Sequence, residues 1–341
     1  MMRRMLRAGW LPVLLVLLVA CARPAALLRL DGQTMGTTWS AQFADAPGLD
    51  RQAVRQAIQA ELDQVIAQMS TWEPGSLISR YNTSPAGSWH DLPEAFAGVL
   101  EAALALAAAT DGHYDPTVGP LVEVWGFGAG VARSEPPDAG TIAAARARVG
   151  WQRLRFEADG RRLLQPGGVQ LDLSSIAEGH AVDRMGLALQ ALHINDYLVE
   201  IGGELRARGR RPDGRPWRVA VEQPDVDQAP ALVLSLHNRS IATSGDYRKY
   251  FEYQGRRYSH SIDPHSGWPV DHGLAAVTVV AGDCMHAGST ATALSVLGPE
   301  RGYDHALRHD IAARLVLRDA DGGFTVRDTP AFQALVAEAA D

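Results

Sequence analysis

The densest chemical grouping in the chain is Ser259-His260-Ser261-Ile262-Asp263-Pro264. A proton acceptor, hydroxyls and a carboxylate fall at the end of a strand-like run, just before a Pro/Gly-rich loop. Chemistry favours such spots, because the strand holds side chains while the loop admits a ligand. The same residues also suit a hairpin with one solvated histidine. A second grouping is Asp172-Leu173-Ser174-Ser175, where an apolar run gives way to a helical pattern. Free N–H groups and hydroxyls at a helix start can seat an anion or phosphate, or the serines can simply cap the helix. Trp72, beside the turn Glu73-Pro74-Gly75-Ser76, fits either the core or a ring-stacking platform. The glycines do not form GxGxxG, and no HExxH is present.

These residues need a frame. The stretch 241–270 reads as two strand-like runs meeting at a polar turn, Gln254-Gly255, with Ser244-Gly245-Asp246 at its start. Upstream, 28–43 alternates and reads as a strand with a glycine kink. Residues 50–69 keep Val54, Ile58, Leu62, Val65 and Met69 on one helical face. Asp91 and Glu94 stand at N-cap and capping-box positions of an Ala-rich helix running to about Thr110. Two prolines, three glycines and three aromatics make 113–128 an ordered, irregular loop. Strands are expected at 169–173, 196–201, 217–222 and 231–236. Residues 274–281 form a nearly continuous apolar strand, expected to be buried on both faces. Helices are expected from Ser174 to about Leu192, at 141–149 and 287–297, and at the C-terminus after Thr329-Pro330, with a strand pair around Asp319-Ala320-Asp321-Gly322. Hairpins interleaved with helices point to an α+β unit.

With 341 residues, 46% hydrophobic and 21% charged, the chain has an ordinary globular balance. Its net charge of -7 and lack of a basic run argue against nucleic acid as a partner. Residues 1–20 carry Arg3, Arg4 and Arg7, then an apolar run too short to span a membrane as a mature helix. The run ends Leu18-Val19-Ala20-Cys21, which resembles a bacterial lipobox. On that reading 1–20 is a lipoprotein signal peptide, Cys21 is diacylated, and 21–27 is the tether to a domain covering 28–341. The chain then works outside the cytoplasm. Ala22, rather than Asp, follows the cysteine, so the choice between the inner and the outer membrane stays open. Cys284, the other cysteine, reads as a buried free thiol.

Taken together, Thr34-Met35-Gly36-Thr37-Thr38-Trp39, Asp115-Pro116-Thr117-Val118-Gly119-Pro120, Leu171-Asp172-Leu173-Ser174-Ser175-Ile176-Ala177-Glu178-Gly179, Gly202-Gly203-Glu204, Ser244-Gly245-Asp246-Tyr247 and His260-Ser261-Ile262-Asp263-Pro264 occur in the order found in the ApbE family, the FAD:protein FMN transferases. The resemblance covers about residues 30–300. It implies a T-fold-related α+β fold of mixed sheets packed with helices, with FAD in a central cleft. It also implies Mg²⁺-dependent cleavage of the FAD diphosphate, with FMN passing to a Thr or Ser hydroxyl and AMP released. The implied acceptors are subunits of membrane redox complexes such as Na⁺-pumping NADH:quinone reductase or its Rnf-type relatives. The implied location is the periplasmic face of the inner membrane, through the lipid anchor.

Carried over residue by residue, Met35, Trp72, His113, Tyr114 and Asp115 fall where the family contacts FAD. So do Asp172, Glu178 and Ile262, and His260 falls where the family places its base. The metal ligands implied are Ser175, Ala177 and Thr292. Here the chain departs from the pattern: the family's usual Asp slot is Gly288. Mg²⁺ prefers hard oxygens, usually including one or two carboxylates, so either a nearby acid such as Asp283 compensates or the chain binds FAD with weak or no transferase activity. A metal-dependent hydrolase using His260, Asp263, His265 and His272 is a third reading.

Overall fold

The computed structural model describes residues 25–222, 224 and 232–338. The signal-peptide reading of 1–20 and the lipidation of Cys21 therefore lie outside the described residues. The backbone of the molecule is an eight-stranded sheet whose neighbouring strands all run antiparallel. In spatial order its strands are Leu27–Thr34, Thr37–Ala44, Tyr197–Ile201, Glu204–Arg208, Arg239–Gly245, Leu274–Ala281, Ala312–Arg318 and Phe324–Asp328.

Strand periodicity sorts side chains onto two faces. Tyr197, Val199 and Ile201 enter one core with the helices Arg51–Met69 and Ser174–Ala191, whereas Leu198 enters another. Likewise Val277 and Val279 pack against Ala291 and Leu294 of the Cys284–Leu297 helix, while Val280 faces Trp217, Leu234 and Phe332 on the opposite side. The Leu274–Ala281 strand is thus buried on both faces, which its unbroken apolar run requires.

Several sequence expectations need correction. Residues 28–43 form two strands, not one: Met35 and Gly36, with φ of 49° and 73°, make a two-residue hairpin turn of the type whose twist matches paired strands. Asp91 does not cap a helix; it lies in the short strand Trp89–Asp91, and the helix Glu94–Ala109 starts after Pro93 without a side-chain cap. Residues 169–173 contribute one parallel bridge, Gln170 to Val118, rather than a strand. The 113–128 loop contains a short helix, Gly119–Val124, with Pro120 in its first turn. The helix Pro299–Arg308 follows Gly298 directly, where the sequence reading placed only a helix end.

Candidate active site

A cleft of about 450 Å³ opens where the sheet, the helix start at 174, one face of the Cys284–Leu297 helix and the 113–128 loop meet. Its size is in the range of sites for small-molecule ligands. His260 reaches it from the end of the Tyr250–Tyr253/Arg256–Ser259 hairpin, whose turn, Gln254-Gly255, again has positive φ at both residues. An aromatic stack fixes this hairpin. Phe251 and Tyr258 lie 5.1 Å apart at 16°, Trp125 stacks on Tyr258 at 5.6 Å, and Trp125 Nε1 donates to the Gly267 carbonyl at 2.9 Å. The 113–128 loop and the hairpin therefore share one small core, with Ile262 buried in it.

His260 Nδ1 lies 3.0 Å from the Lys249 carbonyl, which only an N–H can satisfy, so that nitrogen carries the proton of the neutral ring. Nε2 has no partner among the described residues. Burial, helped by the charges of Lys249 and Arg248, holds the imidazole below the ordinary histidine value. The half-buried ring is thus a neutral base with a fixed tautomer on the cleft wall. Asp263, His265 and His272 do not converge with it. Asp263 accepts the N–H groups of His265 and Ser266, His265 Nε2 donates to the Asp111 carbonyl, and His272 Nε2 to that of Ser295. Among the described residues no trio of His, Cys, Asp or Glu is placed to hold a metal, so His260, Asp263, His265 and His272 do not form the centre the hydrolase reading needs.

The structure brings the remaining sequence-derived residues to the same cleft, with different degrees of freedom. Met35 sits at its edge on the hairpin turn, and Trp72 stands 60% exposed on its rim, which settles against a core role. His113 uses both ring nitrogens, Nδ1 towards the Thr110 carbonyl at 3.0 Å and Nε2 towards Arg301 at 2.9 Å. Its burial also pushes its pKa down, so it faces the cleft as a neutral ring. Tyr114 is buried and accepts a hydrogen bond from Ser175 Oγ at 3.3 Å. The Asp115 carboxylate is occupied within the loop. Oδ1 accepts from the Thr117 N–H and hydroxyl at 2.8 and 2.6 Å, and Oδ2 from the Trp151 N–H at 3.0 Å.

The Ser174–Ala191 helix begins after Leu173 without a side-chain cap, so Ser174 and Ser175 are not its caps. Asp172 takes the Ser174 N–H at 2.9 Å and faces the cleft. Ala177 is buried in the core beneath this first turn and is not a lining residue. Thr292 does line the cleft, one helical turn beyond Gly288. Asp283 does not: it caps the Cys284–Leu297 helix through the His286 N–H at 2.9 Å and pairs with the His286 ring at 2.7 Å.

Sequence reasoning missed two groups and saw a third only as part of a turn. Arg248 lines the cleft, held by Glu222 and by the Gly202 carbonyl at 2.7 Å. Lys249, the only lysine in the sequence, is exposed beside it. Glu204 extends from the Gly202-Gly203 turn into the corner holding Glu178, Gly288 and Thr292. Burial, together with the Glu178 charge, raises the Glu204 pKa well above the carboxylate range, and burial raises that of Glu178. The lone lysine was visible in the sequence as a rarity, but nothing in its spacing placed it beside His260. The arrangement offers a flat-ring platform at one end, positive charge and a neutral base in the middle, and hard oxygens at the other end.

The ApbE family model matches residues 35–315. A Haemophilus influenzae FAD:protein FMN transferase is 36% identical over 326 residues, covering 93% of this chain and 94% of that protein. Among solved structures, the apo Pseudomonas stutzeri flavinyl transferase ApbE superposes with a TM-score of 0.84 at 42% identity, over 91% of this chain and 97% of that one. The Vibrio cholerae flavin transferase ApbE gives 0.85 at 37% identity, over 92% and 100%.

Proposed function

The chain belongs to the ApbE family, and from that premise we propose that it moves the FMN half of FAD onto a Thr or Ser hydroxyl of an acceptor protein. It is an enzyme of the FAD:protein FMN transferase type. The observation that carries the proposal is His260, a base whose Nδ1 is fixed by the Lys249 carbonyl and whose other nitrogen is open to the cleft.

Phosphoryl transfer needs charge neutralisation, in-line positioning and a place for the acceptor proton. His260 Nε2 takes the proton of the acceptor hydroxyl. The freed oxygen bonds to the FMN phosphorus, the diphosphate bridge breaks, and AMP leaves with the bridging oxygen. Arg248 and Lys249 lie beside His260 and meet negative charge on the diphosphate. Trp72, on the rim, offers a face for a flat ring, and Met35 with Ile262 offers apolar surface. Mg²⁺ would suit the corner of Glu178, Glu204 and Thr292, where carboxylate oxygens lie beside a threonine hydroxyl. Thr292 and the Ser175 oxygens would hold it with the substrate diphosphate. When bound it neutralises developing phosphate charge.

The carrier reading supposes that the corner lacks an acid, yet Glu204 stands against position 288. For location, the lipobox-like end at Cys21 supports a lipid anchor outside the cytoplasm, and the family resemblance supports the periplasmic face of the inner membrane. For acceptors, the family resemblance supports flavin-bearing subunits of Na⁺-pumping NADH:quinone reductase or Rnf-type complexes.

The test is incubation of the chain with FAD, Mg²⁺ and an acceptor domain carrying a candidate threonine, followed by intact mass measurement. The expected result is an FMN-sized gain on the acceptor that requires its threonine. FAD binding without any gain on the acceptor, whichever divalent ion is supplied, would give the carrier reading instead.

A further inference from the structure

Gly288 is buried on the face of the Cys284–Leu297 helix that borders the cleft. A Cβ built on it would stand 2.5 Å from Glu204 Oε1 and 3.0 Å from both Cδ and Oε2. Side-chain carbons do not approach other atoms that closely, so a side chain added at 288 would have to displace the free end of Glu204. Glu204 starts the Glu204–Arg208 strand and crosses towards the helix. The room that an acid at 288 would fill is therefore occupied by an acid arriving from the sheet.

Among the described residues no cation pairs directly with Glu204. Its recorded contact is the Cys284 thiol, a weak donor 3.7 Å from Oε2. The cations around it are engaged elsewhere: Arg206 pairs with Asp183, and Arg248 with Glu222. Among its charged neighbours the carboxylate Glu178 outweighs the cation Arg248. Two part-buried carboxylates facing one another are unfavourable as a charged pair, and either a proton or a cation relieves them. Thr292, four residues beyond Gly288 on the same helix, brings a hydroxyl to that corner.

We infer that Glu204 is the carboxylate this chain sets against the divalent cation, and that Gly288 is the residue that makes room for it. The acid has moved from helix to strand while the corner has kept its charge. This rests on the FMN-transfer reading only in taking the FAD diphosphate as a shared ligand of the ion.

The test is a titration of the purified chain with Mn²⁺, with and without FAD, counting free ion by its EPR signal. Glu204→Gln keeps the size of the side chain and removes the charge; it should weaken Mn²⁺ binding by about tenfold or more, since carboxylate oxygens dominate such sites. Gly288→Asp alone should weaken binding and lower the melting temperature, because two carboxylates then compete for one space. The exchange Glu204→Ala with Gly288→Asp should restore binding to near the parent value. Unchanged Mn²⁺ affinity in Glu204→Gln would overturn the inference, as would tighter binding in Gly288→Asp with Glu204 intact. Should the exchange variant not fold, Glu204→Gln decides alone. Glu204-dependent Mn²⁺ binding with no flavin on any acceptor would instead fault the transfer reading and leave this inference standing.

Discussion

The substitution His260→Asn separates the base from its support. The asparagine amide can replace Nδ1 as donor to the Lys249 carbonyl, so the hairpin keeps the bond that orients residue 260. What is lost is the nitrogen open to the cleft. General-base assistance contributes roughly 10²–10⁴-fold, or about 3–5 kcal/mol of barrier. FAD affinity should stay within about threefold, because that nitrogen serves the acceptor proton and not ground-state binding. The parent rate should also carry an acid limb. The imidazole pKa is lowered by burial, so the neutral form is complete above the ordinary histidine value of about 6.5. The rate should fall as pH drops through the lower folded value, and His260→Asn should lack that limb. The same shift has a stability consequence of fixed sign: below the ordinary value the unfolded chain binds the proton first, so acid also favours unfolding, and melting must be followed at each pH. The assay is the initial rate of flavin attachment to an acceptor domain from pH 5 to 8 at saturating FAD. A variant within tenfold of the parent that retains the acid limb would refute the assignment of the base.

Three further outcomes follow from the geometry. Trp72→Ala should raise the Kd for FAD by about 2- to 12-fold, the value of one ring stack, and leave the unfolding midpoint unchanged because the ring is mostly exposed; an unchanged Kd, read by flavin fluorescence, would remove Trp72 from the site. Amine-directed labelling should modify Lys249 as the one lysine available, at a rate slowed by FAD; labelling indifferent to FAD, read by peptide mass, would place the diphosphate elsewhere. Asp115→Ala should destabilise the chain by roughly 2–4 kcal/mol, because it strands the Thr117 and Trp151 donors in the interior. Urea unfolding checks that value, and a change below about 0.5 kcal/mol would show that those donors find other partners.

The legible parts of the sequence were those governed by local rules. The helix at 51–69 followed from a single apolar face and ends at Met69 as its spacing demanded. The double burial of 274–281 followed from an unbroken apolar run, and the 254–255 turn from a glycine where φ must be positive. The break at Met35 was hidden because methionine rarely accepts positive φ; only the paired strands around it make that conformation tolerable. Asp91 looked like a cap because capping chemistry is local, but pairing with Arg162 in a small sheet drew it into a strand. The cleft residues on strands and loops could be named because their order is distinctive. Glu204 could be seen only as part of a turn. That its carboxylate lies over Gly288 depends on a helix and a strand eighty residues apart meeting at one point, which no periodicity encodes.

The group that orients His260 is a peptide carbonyl, and this shifts where the site is fragile. A side-chain orienter can be lost by one codon change, whereas a carbonyl persists whatever residue occupies position 249. Alanine scanning would pass over the most direct support of the base without a signal. The weak point becomes chain length: one residue inserted or deleted between 249 and 260 would slide the Tyr250–Ser259 and Tyr253–Arg256 pairings and turn the imidazole away from its acceptor. Across relatives, this hairpin should accept many spellings and a single length.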